Sequence, residues 1–578
     1  MSAVETAQAE LDRALDLIGA GSIETRLVVG AGDADGFQWT LDNDVVTIEG
    51  DGPRGVLFGA YDFLESLGFL WPCPGTEIAP ADYVAGEPSS GKGAPSVPGR
   101  CLIIGSTAFL PRLESWIEWC ARNKLNTVFF HLGSPGVEMT GASIPFPQWD
   151  EVSERALSTA ARYGLTVELG GHWLPSFLPR DRFAEVPDAF RMVDGERRSD
   201  SNFCTSSPVT MAAITDGARA VFEQYPTVDV FHLWADDAGS WCACPDCADV
   251  SSSDQLLRAT NAAARVLRGV NPSAQIAYLS YLETDAPPVE QPESNVCLLW
   301  APRTRCYGHH LGDADCVINE PKYRGDFASF SQSFEASGAQ PTRVFEYWPD
   351  GILFKSCFPV FASVGRDIAM YRDAGVHTVQ ALLVGPRDVL GAWPSFWLYA
   401  RQAWDPEADA DELLAQFAQA VFNDRALAGA LRDLDRAWYL ALQLEPVAPG
   451  QGFRATMEAM MKQGGFADME DPIGRDPEAL ERIEARHVEA LALAEPAVRE
   501  LADTTCEAEA EASLRWMRFS HARVHAYVTQ SPDAFDAATA AANAFIEFVL
   551  PRVDEGSQAR VKFMHAFAWK NVIKALKP

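Results

Sequence analysis

Residues 232–247 read HLWADDAGSWCACPDC, and two kinds of chemistry stand side by side in them. Asp236 and Asp237 are adjacent carboxylates at the end of a strand-like run. Cleaving a glycosidic bond takes one protonated carboxyl for the leaving oxygen and a second group that stabilises or attacks the cationic anomeric carbon. Neighbouring side chains diverge at a strand end, so two adjacent acids can divide those tasks. Two like charges in one confined site also raise the pKa of one of them, which keeps a proton available near neutral pH. An Asx-turn or a helix cap is the alternative use of an Asp after a strand. Glu346 is the competing second carboxylate, in a layout with the acid on a fourth barrel strand and the nucleophile on a seventh. Residue types do not choose between these layouts.

The second chemistry is the C-x-C-x2-C cluster of Cys242, Cys244 and Cys247. Three thiolates this close suit zinc, and less often an iron–sulfur cluster. No fourth ligand is adjacent; Cys204 in SNFCTSSP is the first candidate, then Cys306 or Cys316. A closed four-coordinate site is structural, so the expected role is a zinc staple for the loop beyond the acids. Free or paired cysteines are the alternative.

The elements that must hold these groups are read from periodicity. Residues 1–90 form a small α/β unit: IETRLVV as a strand, FQWTLDNDVVTIEG as a hairpin around Asp42, Asn43 and Asp44, then a helix that opens at Gly52-Pro53 and closes at Gly68. The Gly-, Pro- and Ser-rich stretch 86–99 reads as a linker, with 91–99 as its span between domains. From Arg100 to about residue 405, eight strand-like runs alternate with helices. The expected fold is therefore a (β/α)8 TIM barrel, with an open doubly wound sheet as the rival. Residues 406–578 turn helical and amphipathic, a bundle suited to support and to homodimer formation. No Gly-rich phosphate fingerprint follows any strand, so no organic cofactor is expected.

A barrel displays its active site at the C-terminal ends of its strands. The candidates there are His172 and Trp173, Trp234 with the two acids, Tyr281, Arg303, Arg305 and His309, and Tyr347 and Trp348, with Asp350, Arg387 and Asp388 nearby. Aromatic faces stack on sugars and carboxylates bind hydroxyls, so the rim suits a carbohydrate. Arg303 and Arg305 could clamp a uronate bidentately, or pair with rim acids instead. Packing of the barrel mouth is the alternative for each aromatic.

Composition narrows the partners. With 47 basic and 80 acidic residues the chain carries −33, which repels nucleic acid and anionic membranes. No run is long and apolar enough to span a bilayer. The N-terminus has acids where a secretory signal would carry Lys or Arg, so a cytoplasmic protein with reduced thiols is expected.

Several stretches resemble known families. RGVLFGAYDFLESLGFLWPCPG after TIEG resembles the α/β domain before the barrel in β-hexosaminidases and α-glucuronidases. VDVFHLWADDAGSWCACPDC, SDQLLRATNAAARVL and IAYLSYLETDAPP look like a barrel domain long catalogued as of unknown function, related to endo-β-N-acetylglucosaminidases; SNFCTSSP and APRTRCYGHHL look like further stretches of it. The resemblance covers about residues 23–400. It implies a retaining hydrolase of β-N-acetylhexosaminides in oligosaccharides that uses the substrate's acetamide as nucleophile. In that scheme Asp236 polarises the acetamide and Asp237 is the general acid. The usual hexosaminidase pair is Asp-Glu; Asp-Asp is similar to the O-GlcNAcase-type barrels. Members acting on N-glycans are generally exported, so an imported oligosaccharide or small glycoside is the expected substrate here. An α-glucuronidase-like activity is the runner-up, and a catalytically silent sugar-binding protein is the rival from another class.

Overall fold

The computed structural model describes residues 1–83, 89–133, 143–237, 240–303, 305–316, 318–348, 361–383, 393–443, 477–552 and 558. Its first element is a helix, Ala3–Leu17, set by a capping box in which Ser2 and Glu5 satisfy each other's backbone N–H groups. Strand β1 (Glu24–Val29) pairs in parallel with β3 (Val45–Gly50), and β3 pairs antiparallel with β2 (Phe37–Asp42). Asn43 and Asp44 make the β2–β3 turn with φ of 49° and 60°. This is the left-handed conformation that Asn and Asp tolerate and that tight hairpins require.

The expected linker is in part a strand. β4 (Ser89–Gly93) runs antiparallel to β2 and completes a four-stranded sheet. Its glycines are there for close approach: a Cβ on Gly91 would meet the Trp39 ring at 2.4 Å. The helix Pro53–Ser66 covers this sheet. Behind it Asp35 binds Arg100 (2.7 Å) and Asn126 (2.7 Å), which fixes the small domain to the base of the barrel.

Eight parallel strands then close on themselves. They are β5 (Gly99–Ile104), β6 (Thr127–His131), β7 (Thr166–Gly171), β10 (Val230–Leu233), β11 (Gln275–Ser280), β12 (Val296–Trp300), β13 (Gln340–Glu346) and β14 (Thr378–Leu383). β14 pairs with β5 and β10 with β7, so the barrel is complete and the open-sheet alternative falls. A short hairpin, β8 (Met192–Val193) with β9 (Glu196–Arg197), interrupts the connection from β7 to β10.

Both faces of each barrel strand are buried, and alternate residues feed two different cores. Phe129, Val230, Trp234, Leu299, Phe345 and Tyr347 pack inside the barrel. Val128, Phe231, Leu298, Val344 and Trp348 pack outward against the helices. Low in the interior lies a polar group that sequence reading missed. Glu168 accepts from Arg343 (2.7 Å) and Gln380 (2.8 Å) and pairs with His232 (2.8 Å), all of them buried.

Beyond the barrel come helices Trp393–Trp404, Ala410–Phe422, Ala428–Ala441, Pro477–Glu500, Glu507–Thr529 and Pro532–Val549. Trp438 stacks on Trp516 at 4.6 Å and ties two of them together. Among the described residues no helix is long and apolar enough to cross a membrane.

Candidate active site

Asp237 is the centre of the barrel mouth. It follows β10, and its side chain is 46% exposed. His172, just beyond β7, donates from Nδ1 to the Ala235 carbonyl at 2.5 Å. That bond turns His172 Nε2 toward Asp237 Oδ1, 3.5 Å away. The hydroxyl of Tyr281, at the end of β11, favours the charge on the same carboxylate. Arg303, beyond β12, lies over the Tyr347 ring at 4.4 Å, a cation–π contact at the end of β13. Burial pushes the Asp237 carboxyl up, but His172, Arg303, His131 and the Tyr281 hydroxyl outweigh it and hold the group below the usual aspartate value of 3.8. The expected rise from like-charge crowding is therefore not found at Asp237, because its neighbours are cations and a donor. Tyr281 is pushed well above its ordinary value by burial and by the Asp237 charge, so it stays a donor.

The two acids diverge, as a strand end requires. The Asp236 backbone N–H donates to Asn202 Oδ1 (2.9 Å), and its charge acts on Arg180. Asp236 therefore looks toward the 174–207 loop while Asp237 looks over the barrel axis. Trp234 floors the mouth, 5.4 Å from His131 and 5.2 Å from His172 between ring centroids. Its buried Nε1–H has no hydrogen-bond partner among the described residues, nor has the buried hydroxyl of Tyr307, which the loop after β12 folds back beside Tyr347. The sequence carried no sign of Tyr307, since a loop residue's destination depends on what anchors the loop.

Five expected site residues lie elsewhere. Glu346 and Trp348 have the outward phase of β13 and face the helix Phe361–Asp373, not the mouth. Glu346 accepts from Arg305 Nη1 (2.8 Å) and Tyr371 (2.5 Å). Trp348 donates to Asp367 (2.8 Å). Arg305 is fully buried and binds Glu346 and Asp367 (2.6 Å), so it cannot clamp a uronate; the salt-bridge alternative is what the geometry contains. Trp173 is buried, donates to the Gly133 carbonyl (2.9 Å) and packs on Phe146. His309 sits against Cys306 (3.3 Å) and Tyr439, away from Asp237. Asp350, Arg387 and Asp388 lie outside the described residues.

The cysteines divide into two groups. Cys204, Cys242, Cys244 and Cys247 have all four sulfurs within 4.8 Å of one another, and each is at most 3% exposed. The neighbouring Cys242 does most to pull the Cys204 thiol down, against burial and with help from Arg197. Cys306 and Cys316, the other two candidates for the fourth ligand, group with His309 instead.

A closed (β/α)8 barrel with a carboxylate ringed by His, Tyr and Arg at its C-terminal mouth is the architecture of a barrel enzyme. The chain belongs to the family described as "Domain of unknown function (DUF4838)", whose model matches residues 107–433. Among curated proteins none matches. Among solved structures, a GH138 enzyme targeting pectin rhamnogalacturonan II is similar at TM-score 0.58 and 11% identity, over 97% of this chain and 73% of that one. A GH115 4-O-methyl-alpha-glucuronidase with specificity for decorated arabinogalactans is similar at TM-score 0.57 and 12% identity, over 98% and 78%. A GH20 exo beta-N-acetylglucosaminidase from Vibrio harveyi aligns at TM-score 0.48 and 12% identity, over 75% and 73%. At such identities the first two establish the fold, including the helical region after the barrel.

Proposed function

We propose that this chain is a glycoside hydrolase that cleaves β-N-acetylhexosaminides with help from the substrate's own acetamide. One observation carries the reading. Asp237 stands at the mouth with Asp236 beside it in the chain, while Glu346 faces the helices and pairs with Arg305. Among the described residues Glu346, the cross-barrel candidate, is therefore turned away from the mouth, and an acetamide nucleophile needs only an adjacent pair. The solved structures of similar fold, named for glycoside hydrolysis, agree with the class. The buried Trp234 N–H and Tyr307 hydroxyl offer further polar contacts for a sugar.

The charge pattern supports the opposite division of labour to the one that the family resemblance implies. Asp237, its pKa lowered by His172, Arg303, His131 and Tyr281, suits the anion that orients the acetamide and balances the developing positive charge. Asp236 is then the proton donor. Leaving-group dependence tests this. Asp236→Asn should keep most activity on a dinitrophenyl N-acetylglucosaminide, whose leaving group needs no proton, and lose it on methylumbelliferyl or natural glycosides. Asp237→Asn should lose both. The opposite pattern restores the order implied by resemblance, and no turnover of any N-acetylhexosaminide sinks the reading. Arg303, presented over Tyr347, favours one second reading, a uronic-acid glycosidase like the GH115 enzyme. Aryl glucuronides in the same panel decide it.

A further inference from the structure

We propose that Cys204, Cys242, Cys244 and Cys247 bind one zinc ion, which clamps the loop before the helix Pro208–Gln224 to the loop that carries Asp236 and Asp237. A zinc–thiolate bond is about 2.3 Å, so a regular ZnS4 tetrahedron has edges of about 3.8 Å. Cys204 Sγ stands 3.7 Å from both Cys244 Sγ and Cys247 Sγ. A disulfide needs about 2.05 Å. One ion at the centre of the four sulfurs accounts for the spacing.

The surroundings are those of a charged sulfur site. The Met192 N–H (3.3 Å) and Arg197 Nη1 (3.7 Å) donate to Cys242 Sγ, and the Ser206 hydroxyl lies 3.1 Å from Cys247 Sγ. Such donors offset the excess negative charge of four thiolates on a divalent ion. Four ligands close the shell, so the ion holds structure and does no chemistry.

What it holds is the frame of the acids. Cys204 is two residues past Asn202, whose Oδ1 accepts the Asp236 N–H. Cys242 is five residues past Asp237. Arg191 reaches across to the Ser240 carbonyl (3.3 Å), and Ala243 N–H donates to the Met192 carbonyl (2.8 Å). These cross-loop links are individual hydrogen bonds, part-buried or exposed, and the ion would add metal–sulfur bonds between the same two segments.

The test uses the full chain, produced with zinc in the medium and purified under reducing conditions. Metal analysis should find zinc, and Cys204→Ser and Cys244→Ser should each lower it by about one equivalent. Cys297→Ser, a buried thiol in the barrel wall, should leave it unchanged. Because the cluster variants can misfold, the wild-type protein supplies two independent readouts. Titration with a mercurial should release that equivalent to a chromophoric chelator, and cobalt exchanged into the site should show thiolate charge-transfer and tetrahedral d–d bands. Zinc release should also make residues 189–250 the first proteolytic cut. Less than about a tenth of an equivalent of zinc, iron in its place, or equal metal in Cys244→Ser and wild type overturns the site. An unchanged cleavage pattern after release overturns the clamp. None of these readouts depends on glycosidase activity.

Discussion

Glu346 separates a structural from a catalytic account of this barrel, and two substitutions resolve it. Arg305→Met leaves Glu346 and Asp367 facing each other, both fully buried, without their shared cation. Removing one partner from a buried ionic group costs about 3–5 kcal/mol. At about 2 °C per kcal/mol for a domain of this size, the barrel transition should fall by about 6–10 °C. Glu346→Gln is milder. Its amide oxygen can still accept from Arg305 and Tyr371, but its NH2 replaces the oxygen that accepts the Tyr347 N–H at 3.2 Å. One donor-on-donor contact costs about 1–3 kcal/mol. Burial already pushes Glu346 above the usual glutamate range, with Arg305 opposing and Asp367 adding to the rise, so a neutral group is tolerated there. Glu346→Gln should keep its turnover number on whichever aryl glycoside the wild type cleaves, since the side chain faces the helix Phe361–Asp373. A cross-barrel nucleophile would instead lose on the order of a thousandfold or more on amidation. Differential scanning fluorimetry beside steady-state kinetics reads both quantities. Glu346→Gln with an unchanged melting temperature and abolished turnover would refute the reasoning.

Further outcomes follow from the charges. Because Asp237 titrates below 3.8, the acid limb of kcat/KM should lie below that value if Asp237 acts as an anion. Arg303→Met and Tyr281→Phe should each move the limb upward by removing a group that favours the carboxylate, and a limb that stays put in both excludes Asp237 as its source. In the helical region His487 is buried between the Ile483 carbonyl and the Ser520 hydroxyl, and burial lowers it from 6.5 to about 4. The unfolded chain takes up that proton first as pH falls, so the stability is present above 6.5 and is lost toward pH 4, by about 3 kcal/mol. Urea midpoints against pH should be flatter in His487→Gln, and parallel curves for the two proteins count against this assignment.

The barrel was legible because its signal repeats. Eight β-branched or apolar runs, each separated by a helix-length segment, leave few topologies open. The opening helix was legible too, through its capping box, but those residues were read only for a targeting signal. What the sequence could not yield was phase. A strand such as RVFEYW is apolar at both parities, because both of its faces are buried, so nothing marks Tyr347 as inward and Trp348 as outward. Every strand-end residue then looked like rim. Asp237, His172, Tyr281 and Arg303 meet there, whereas Trp173, Glu346 and Trp348 do not. Arg305 is a harder case, because its partner Asp367 lies 62 residues away and no local pattern announces it.

That same ion group has a positional consequence for the site. Arg305 Nη2 donates to the His309 carbonyl (3.1 Å), and Asp367 Oδ1 accepts the Leu311 N–H (2.6 Å). The loop after β12 is thus pinned to the helix Phe361–Asp373 by Arg305 and Asp367, and that loop carries Arg303 and Tyr307. Beyond β11 around the mouth, the cysteine group brings together the loops that carry Asn202 and the two acids. The reacting groups stand on irregular backbone on both sides, where no ladder of strand hydrogen bonds fixes them. A buried ionic group holds one side, and the proposed ion on the four sulfurs would hold the other. Each would tolerate little displacement, which is what holding a carboxylate within hydrogen-bond reach of a bound substrate demands.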